Sequence, residues 1–322
     1  MSAPHVVTVG EAMALLVAQT PGPLAAVEHF SRTSAGAELN VATGLARLGW
    51  RVGYISRMGQ DPLGDYLLAT LDREGIDRRH VKVDAQHPTG LMLKSCEPEG
   101  QDPQIAYFRK GSAASHLGLE DAPSEGLQGV RWLHLTGISV ALSDSVRALV
   151  QALVQQARAA GTAVSFDPNL RPRLWSSQTA MVSGLNAWAA QADLVMPGLS
   201  EGQLLTGQTT PPDIASWYLD RGVKQVVIKL GPHGAYVADA AGRATVPGFQ
   251  VPRVVDTVGA GDGFAVGVLS ALLDGQSLAD AALRGNAIGA RVVQFVGDSE
   301  GLPNPAQLAQ ALQAPRRSPD GA

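Results

Sequence analysis

Residues 256–264 read Asp256-Thr257-Val258-Gly259-Ala260-Gly261-Asp262-Gly263-Phe264, a glycine-rich junction between two apolar segments. The β-branched run Arg253–Val255 precedes it, and the apolar run Phe264–Leu273 that follows is too long for a strand and predicts a buried helix. The glycines allow the backbone to turn tightly and approach a ligand. Because the N–H groups and the dipole at a helix start favour an anion, the junction predicts an anion-binding turn.

Asp262 adds a carboxylate to this anion site, and the residues of the stretch leave two interpretations of Asp262 open. In phosphoryl transfer, Asp262 would be the base that takes the proton of an attacking hydroxyl, while backbone amides stabilise the charge on the phosphates. Alternatively, Asp262 is an acidic residue in the first turn of a helix, where the helix dipole favours a negative charge. The stretch alone supports both interpretations equally.

The composition of the chain indicates a globular enzyme without nucleic-acid or membrane partners. The 322 residues include 25 Lys and Arg against 29 Asp and Glu, a formal charge of −4, and no basic tract. The single cysteine, Cys96, excludes an internal disulfide and suits a reducing compartment. No apolar run has the length of a membrane span, and the N-terminus lacks a signal-peptide pattern. We therefore expect a cytoplasmic protein.

Strands and helices alternate over most of the chain, which predicts an α/β fold with a mainly parallel sheet and helices on both faces. Strands are predicted at residues 6–10, 52–56, 132–136, 163–167, 193–196, 226–230 and 234–238. Helices are predicted at 37–48, 62–75, 143–160, 178–190, from 200, 212–221, 264–273 and, as the last one, from 277. Ligands bind such sheets at the carboxyl ends of the strands.

Two segments, about 12–35 and 84–112, break this alternation. Leu91–Cys96 and Gln104–Arg109 read as strands joined by the turn-rich residues 97–103, which predicts an antiparallel hairpin. With strands from the first segment, this hairpin would form a small sheet beside the main body. We expect one domain over residues 1–313 and a disordered polar tail at 314–322.

The chain resembles the PfkB (ribokinase-like) sugar kinases. Neither a P-loop nor a dinucleotide fingerprint is present, and the histidines show no ligand spacing. Asp256–Asp262 is similar to the family signature D-T-x-G-A-G-D, and Ala35–Asn40 is similar to its Gly-Gly…Asn signature, with Ala35 in place of the first glycine. The resemblance extends over Val6–Leu312 and implies a ribokinase-like fold whose small β-sheet is a lid.

The resemblance also implies roles for several residues in an ATP- and Mg²⁺-dependent reaction. Asp262 would be the catalytic base, and the amides of Gly259, Ala260 and Gly261 would form the anion hole. Family members carry N-x-x-E after a middle strand; here Gly198 replaces the Asn, so Glu201 would either hold magnesium through water or support the first turn of its helix.

For ATP, the resemblance points to Lys229, to the turn between Gly231 and Gly234, and to Asn286. An exposed turn and a helix-surface amide are the alternatives for these positions.

Two stretches, residues 107–113 and 167–171, resemble the corresponding stretches of the kinases that act on the sugar acid 2-keto-3-deoxygluconate. The resemblance therefore implies a substrate of this class. Tyr107 and Arg109 would share one face of a lid strand. Arg109 and Arg171 would grip a carboxylate from two sides, because a guanidinium pairs with a carboxylate in a planar fork. Ordinary surface positions are the alternative for both arginines.

Further substrate contacts follow from the resemblance at Gly36 and Asn40, and at Asp298 as a hydroxyl acceptor. Met92 stands where these kinases carry a lid tyrosine, so it would pack on a sugar without donating a hydrogen bond. We expect phosphorylation of the primary hydroxyl of 2-keto-3-deoxygluconate to the 6-phosphate by a homo-oligomer. The alternatives are a fructokinase or another neutral-sugar kinase and, more remotely, a non-catalytic sugar or nucleotide sensor.

Overall fold

The computed structural model describes residues 3–97 and 103–317, and the predicted α/β fold with a mainly parallel sheet and a small second sheet is confirmed there. The strands are β1 (Val6–Val9), β2 (Met13–Pro21), β3 (Phe30–Ala35), β4 (Val52–Gly59), β5 (Asp77–Asp84), β6 (Gly90–Cys96), β7 (Ile105–Phe108), β8 (Trp132–Thr136), β9 (Ala163–Asp167), β10 (Leu194–Val195), β11 (Gln225–Lys229), β12 (Gly234–Asp239) and β13 (Gly242–Pro247).

The α-helices of the described residues are α1 (Ala37–Arg47), α2 (Pro62–Arg73), α3 (Ser139–Leu142), α4 (Asp144–Ala160), α5 (Gln178–Ala189), α6 (Leu199–Thr206), α7 (Pro211–Leu219), α8 (Ala260–Leu273), α9 (Leu278–Val292) and α10 (Pro305–Leu312). None of these described helices combines the length and the apolar character that crossing a bilayer requires.

The large sheet has nine strands in the order β13-β12-β11-β10-β9-β8-β1-β4-β5. Strands β11 to β5 of this order are parallel, and β12 and β13 pair antiparallel at one edge. Successive side chains of a strand face opposite sides, so Val6 packs in the cluster with α1, α2, α8 and α9, whereas Val7 packs in the cluster with α4, α5 and α7. Helices therefore cover both faces of the sheet.

A second sheet of four strands, in the order β3-β2-β6-β7, stands beside the large one and is called the lid sheet below. Strands β6 and β7 pair antiparallel, as the hairpin prediction requires, although most of its predicted turn, residues 98–102, lies outside the described residues. The lid sheet has its own apolar cluster, formed by Met13, Leu15, Val17, Ala35 and Met92.

Three elements besides the one-turn helix α3 were missed by the sequence analysis. Strands β5 and β13 are edge strands, and because much of their surface faces solvent they lack an alternating apolar pattern. Helix α10 follows the helix predicted to be last. Its capping box, in which Asn304 and Gln307 exchange backbone hydrogen bonds, was a readable signal for this third element.

The predicted disordered tail is wrong for its first residues. Pro315 O accepts a hydrogen bond of 2.8 Å from Gln250 N, and Arg317 N donates one of 2.8 Å to Gly248 O. These bonds satisfy backbone groups that a free tail would leave to water. Residues 318–322 lie outside the described part of the chain.

Candidate active site

Two cavities meet at the glycine-rich turn. The first, of about 380 Å³, lies between the lid sheet and the carboxyl ends of β9 and β11 and is called the lid cavity. The second, of about 370 Å³, lies between the β11–β12 turn and helices α8 and α9 and is called the helix cavity. Lys229, Thr257 and Gly261 line both cavities, so a ligand in one can reach a ligand in the other across the turn.

The turn is shaped by Gly259, whose φ of 81° lies in the left-handed region that favours glycine. A Cβ at this position would collide with the carbonyl oxygen of Asp298. Gly259 is the N-cap of α8, so the helix begins at Ala260, four residues earlier than the sequence analysis expected. The predicted amides of Ala260 and Gly261 therefore belong to the first turn of a helix, where the helix dipole favours an anion.

Asp262 lies in that first turn and lines the lid cavity. Its Oδ2 accepts a hydrogen bond of 2.8 Å from the side-chain amide of Asn40 in α1. The pKa of Asp262 is raised to about 7: burial is the largest cause, the charges of Asp167 and Asp298 add to it, and the Asn40 hydrogen bond and Lys229 oppose it. A carboxylate with this pKa can exchange a proton near neutral pH, which is what a general base requires.

Lys229 projects from the end of β11 between the two cavities. Its Nζ lies 2.7 Å from Oδ2 of Asp167 at the end of β9, and a Cβ on Gly261 would be 3.7 Å from the same Nζ. The ammonium is thus held beside the helix start, at the boundary where the phosphates of a nucleotide in the helix cavity would meet an acceptor in the lid cavity.

The predicted ATP-binding residues line the helix cavity: Lys229, Gly231, Gly234 and Asn286. Asn286 is not the helix-surface amide of the alternative interpretation, because it is 7% exposed. Its Nδ2 donates hydrogen bonds of 3.2 Å and 3.1 Å to the carbonyl oxygens of Val246 and Pro247, which ties α9 to β13. Gly234 has a φ of 104°, and a Cβ there would collide with the carbonyl oxygen of Val246, so both its conformation and its surroundings require glycine.

The predicted substrate residues are brought together around the lid cavity: Gly36, Asn40, Tyr107, Arg109, Arg171 and Asp298. Met92 also lines it, in register with Tyr107 across β6 and β7. Gly36 has a φ of 138°, and a Cβ there would collide with the carbonyl oxygen of Glu11, so the backbones at these two lining residues approach each other closely.

Arg109 is not a free surface arginine. Its Nη2 forms an ion pair with Oε2 of Glu11, whose side chain is 1% exposed, while Glu11 Oε1 accepts a hydrogen bond from the hydroxyl of Ser112. Nε of Arg109 is buried without a hydrogen-bond partner in the described chain. Arg171, across the cavity, donates from Nη1 to its neighbour's carbonyl at Leu170. Both guanidinium groups keep donors for an anionic ligand.

Glu201 is already engaged by the backbone. Its Oε2 accepts from the N-cap amide Gly198 N at 2.7 Å, and its Oε1 accepts from Leu170 N at 2.8 Å. These contacts support the capping interpretation, but each carboxylate oxygen has a second lone pair and Glu201 lines the lid cavity.

Within residues 3–97 and 103–317, no three metal-ligating side chains are grouped for a metal ion.

Glu11 and Lys94 are among the charged residues of the site that the sequence analysis missed. Glu11 lines the lid cavity beside Arg109, and Lys94 of β6 reaches Asp298 with its Nζ at 3.1 Å. Lys94 had a readable signal, because it interrupts an otherwise mostly apolar strand on the side that also carries Met92. Glu11 follows a buried strand end, which is where ligands bind in such sheets.

Comparison with known proteins agrees with this architecture. Residues 3–305 match the model of the pfkB family carbohydrate kinases. The chain is 50% identical over 311 residues to a 2-dehydro-3-deoxygluconokinase of Bacillus subtilis (strain 168), covering 96% of each chain.

Two solved structures share the fold. A PfkB protein from Polaromonas sp. JS666 is 50% identical with a TM-score of 0.88, over 95% of this chain and 99% of that one. A fructokinase from Vibrio cholerae O395, solved with fructose, ADP and calcium ion, is 32% identical with a TM-score of 0.85, over 97% and 99% of the two chains. The chain therefore belongs to the pfkB family of carbohydrate kinases.

Proposed function

We propose that this kinase transfers the γ-phosphoryl group of ATP to the primary hydroxyl of 2-keto-3-deoxygluconate, also written 2-dehydro-3-deoxygluconate, and forms the 6-phosphate. The observation that carries the proposal is the position of Asp262, which lines the lid cavity immediately after Gly261, a residue common to both cavities. The name of the Bacillus relative at 50% identity supports the choice of this sugar acid.

In the proposed step, the acceptor hydroxyl lies in the lid cavity against Asp262 and the triphosphate enters from the helix cavity. The hydroxyl oxygen forms a bond to the γ-phosphorus, and the bond from that phosphorus to the bridging oxygen of ADP breaks. The hydroxyl proton passes to the carboxylate of Asp262. The amides of Gly259, Ala260 and Gly261 stabilise the charge on the phosphoryl oxygens, with the ammonium of Lys229 beside them.

The carboxylate of the acceptor is assigned to Arg109 and Arg171. They face the lid cavity from the lid sheet and from the loop after β9, and their remaining N–H donors suit a planar anion. Tyr107 and Met92 cover the sugar, and Asp298, Asn40 and the backbone at Gly36 lie where its hydroxyls would be bound.

ATP is assigned to the helix cavity, with Asn286, Gly231 and Gly234 along its walls. Magnesium supplies positive charge to the phosphates when it is bound. Glu201 is the residue we assign to it, through a water molecule, because its two carboxylate oxygens are each only singly engaged among the described contacts.

A fructokinase is the second candidate. The ion pair with Glu11 already balances the charge of Arg109, and Met92 offers no hydrogen-bond donor. The lid cavity could therefore also bind a neutral sugar. The fructokinase of Vibrio cholerae shows that this fold accommodates fructose with ADP.

An ADP-release assay separates these functions. The purified protein is given Mg·ATP with 2-keto-3-deoxygluconate, its galactonate epimer, fructose or ribose, and kcat/KM is compared. The proposal predicts the highest kcat/KM for one of the two sugar acids, with 2-keto-3-deoxygluconate first. A higher value for fructose would assign the chain to the neutral-sugar kinases instead.

A further inference from the structure

The strand β6 of the lid sheet carries a buried cation. The side chain of Lys94 is 2% exposed, and its Nζ lies 2.5 Å from Oδ2 of Asp256 and 3.1 Å from Oδ1 of Asp298. Both carboxylates are buried as well, with side chains 5% and 6% exposed. Burying an ammonium is unfavourable unless its charge is balanced, and here the carboxylates of two aspartates balance it.

The two carboxylates belong to the loops that build the glycine-rich turn. Asp256 opens the turn: its Oδ1 accepts from Val258 N at 3.1 Å, and its Oδ2 accepts from Gly297 N at 3.2 Å. Asp298 packs its backbone directly on Gly259, where a Cβ would collide with its carbonyl oxygen. The position of Gly259 and of the helix start after it therefore depends on both loops.

We propose that Lys94 is a positioning residue of the kinase: its ammonium, supplied by the lid sheet, holds the loops of Asp256 and Asp298 together and so fixes the turn that receives the phosphates. Without this cation, two buried carboxylates would face each other beside an anion site. Their repulsion would separate the loops and displace the turn that stabilises the charge on the phosphoryl group during its transfer. The inference rests on the kinase activity and holds for any acceptor.

The charge of Lys94 also bears on the base. The titratable groups that act on Asp262 are Asp167 and Asp298, which raise its pKa, and Lys229, which lowers it. Lys94 is paired to one of these, Asp298. Removing Lys94 leaves the negative charge of Asp298 unbalanced, so the pKa of Asp262 would move further upward.

The test compares Lys94→Met with the control Lys82→Met. Lys82 lies on the edge strand β5, its side chain is 49% exposed, and its ammonium pairs with Asp121. The acceptor is whichever of the four sugars the wild-type protein phosphorylates fastest. We expect kcat of Lys94→Met to fall roughly 10²-fold, because small displacements of a reacting group have effects of that size. The KM values should change far less, and the acidic limb of the pH profile should move to higher pH. Lys82→Met should match the wild type.

A lid residue that only anchors the sheet would give the opposite pattern. An increased KM for the sugar with unchanged kcat at saturation, or an unchanged pH profile, would overturn the inference. If Lys94→Met does not fold, Asp256→Asn carries the same test, because it removes one partner and leaves the ammonium paired with Asp298. A kcat within twofold of wild type in Asp256→Asn would overturn the inference too.

Failure of the sugar acid in the wild-type assay is a separate result. It would contradict the proposed substrate and leave the comparison of the Lys94 variants on another acceptor unaffected.

Discussion

The side-chain amide of Asn40 donates a 2.8 Å hydrogen bond to Oδ2 of Asp262, although the two residues are 222 positions apart in the chain. Asn40 lies in α1, directly after the lid strand β3, and Asp262 lies in the first turn of α8. The bond orients the carboxylate in the lid cavity and stabilises its ionised form. The hydrogen bond holds Oδ2 toward α1 and so fixes the orientation of the carboxylate that would act as the base.

Asp262→Asn should abolish most turnover and leave nucleotide binding intact. An Asn has nearly the same shape but cannot take a proton, and a general base contributes roughly 10²- to 10⁴-fold to the rate. The measurements are ADP release for kcat and calorimetry for ATP affinity. Asp274→Asn, at the other end of α8 and 42% exposed, is the control and should behave as wild type. Near-normal turnover of Asp262→Asn would contradict the role of base.

The pH dependence of kcat/KM should show an acidic limb with a pKa of about 7, which belongs to Asp262 in the free enzyme. The base works when ionised, so the rate rises as the pH rises through this value. Asn40→Ala removes a hydrogen bond that favours the ionised form, and the limb should therefore move to higher pH.

The Asn40→Ala variant should accordingly lose more activity at pH 6 than at pH 8. Asn186→Ala is the control, because it removes a side-chain amide of α5 that donates to the carbonyl oxygen of Leu205 in α6. Equal losses at the two pH values would show that Asn40 does not act through the charge of Asp262.

Arg109→Ala should raise KM for the sugar acid roughly tenfold or more and change the KM for ATP little, because hydrogen bonds to charged groups contribute about 1.5–3 kcal/mol each. The variant also leaves the buried carboxylate of Glu11 without its ion pair, and this negative charge repels an acidic substrate. Steady-state kinetics with each substrate varied in turn measures both values.

Arg173→Ala is the matched control for this substitution. Arg173 is exposed and lies two residues after Arg171. If Arg109→Ala weakens the sugar acid and ATP equally, the assignment of the carboxylate to this side chain fails.

Glu201→Gln should raise the Mg²⁺ concentration needed for half-maximal rate, since an amide attracts a metal-bound water less strongly than a carboxylate. Titration of the rate with magnesium at fixed ATP gives this concentration, with the exposed Glu28→Gln as control. If the magnesium requirement stays the same and only the thermal stability falls, Glu201 serves α6 and the loop at Leu170 alone.

The fold and the contiguous motifs were predictable because their signals are local. The glycines at 259 and 261 and the carboxylate at 262 share one short stretch, and alternation of strands and helices requires no knowledge of distant contacts. Edge strands β5 and β13 were missed because solvent on one side removes the apolar pattern on which the prediction relies.

The charge pairs of the lid cavity were not predictable in the same way. Lys94 and Asp298 are 204 positions apart, and the pair of Arg109 with Glu11 forms only when the lid sheet docks on the main sheet. A sequence pattern identifies a charged residue in an apolar strand, but its partner follows from tertiary packing. The same holds for Asn286, whose burial depends on β13 lying against α9.

The most direct measurement is a crystal structure with magnesium, a non-hydrolysable ATP analogue and 2-keto-3-deoxygluconate. We predict the terminal phosphate at the amides of Gly259–Gly261 and the primary hydroxyl of the acceptor within about 2.6–3.2 Å of a carboxylate oxygen of Asp262. A terminal phosphate bound away from the start of α8, with no acceptor hydroxyl near Asp262, would contradict this prediction.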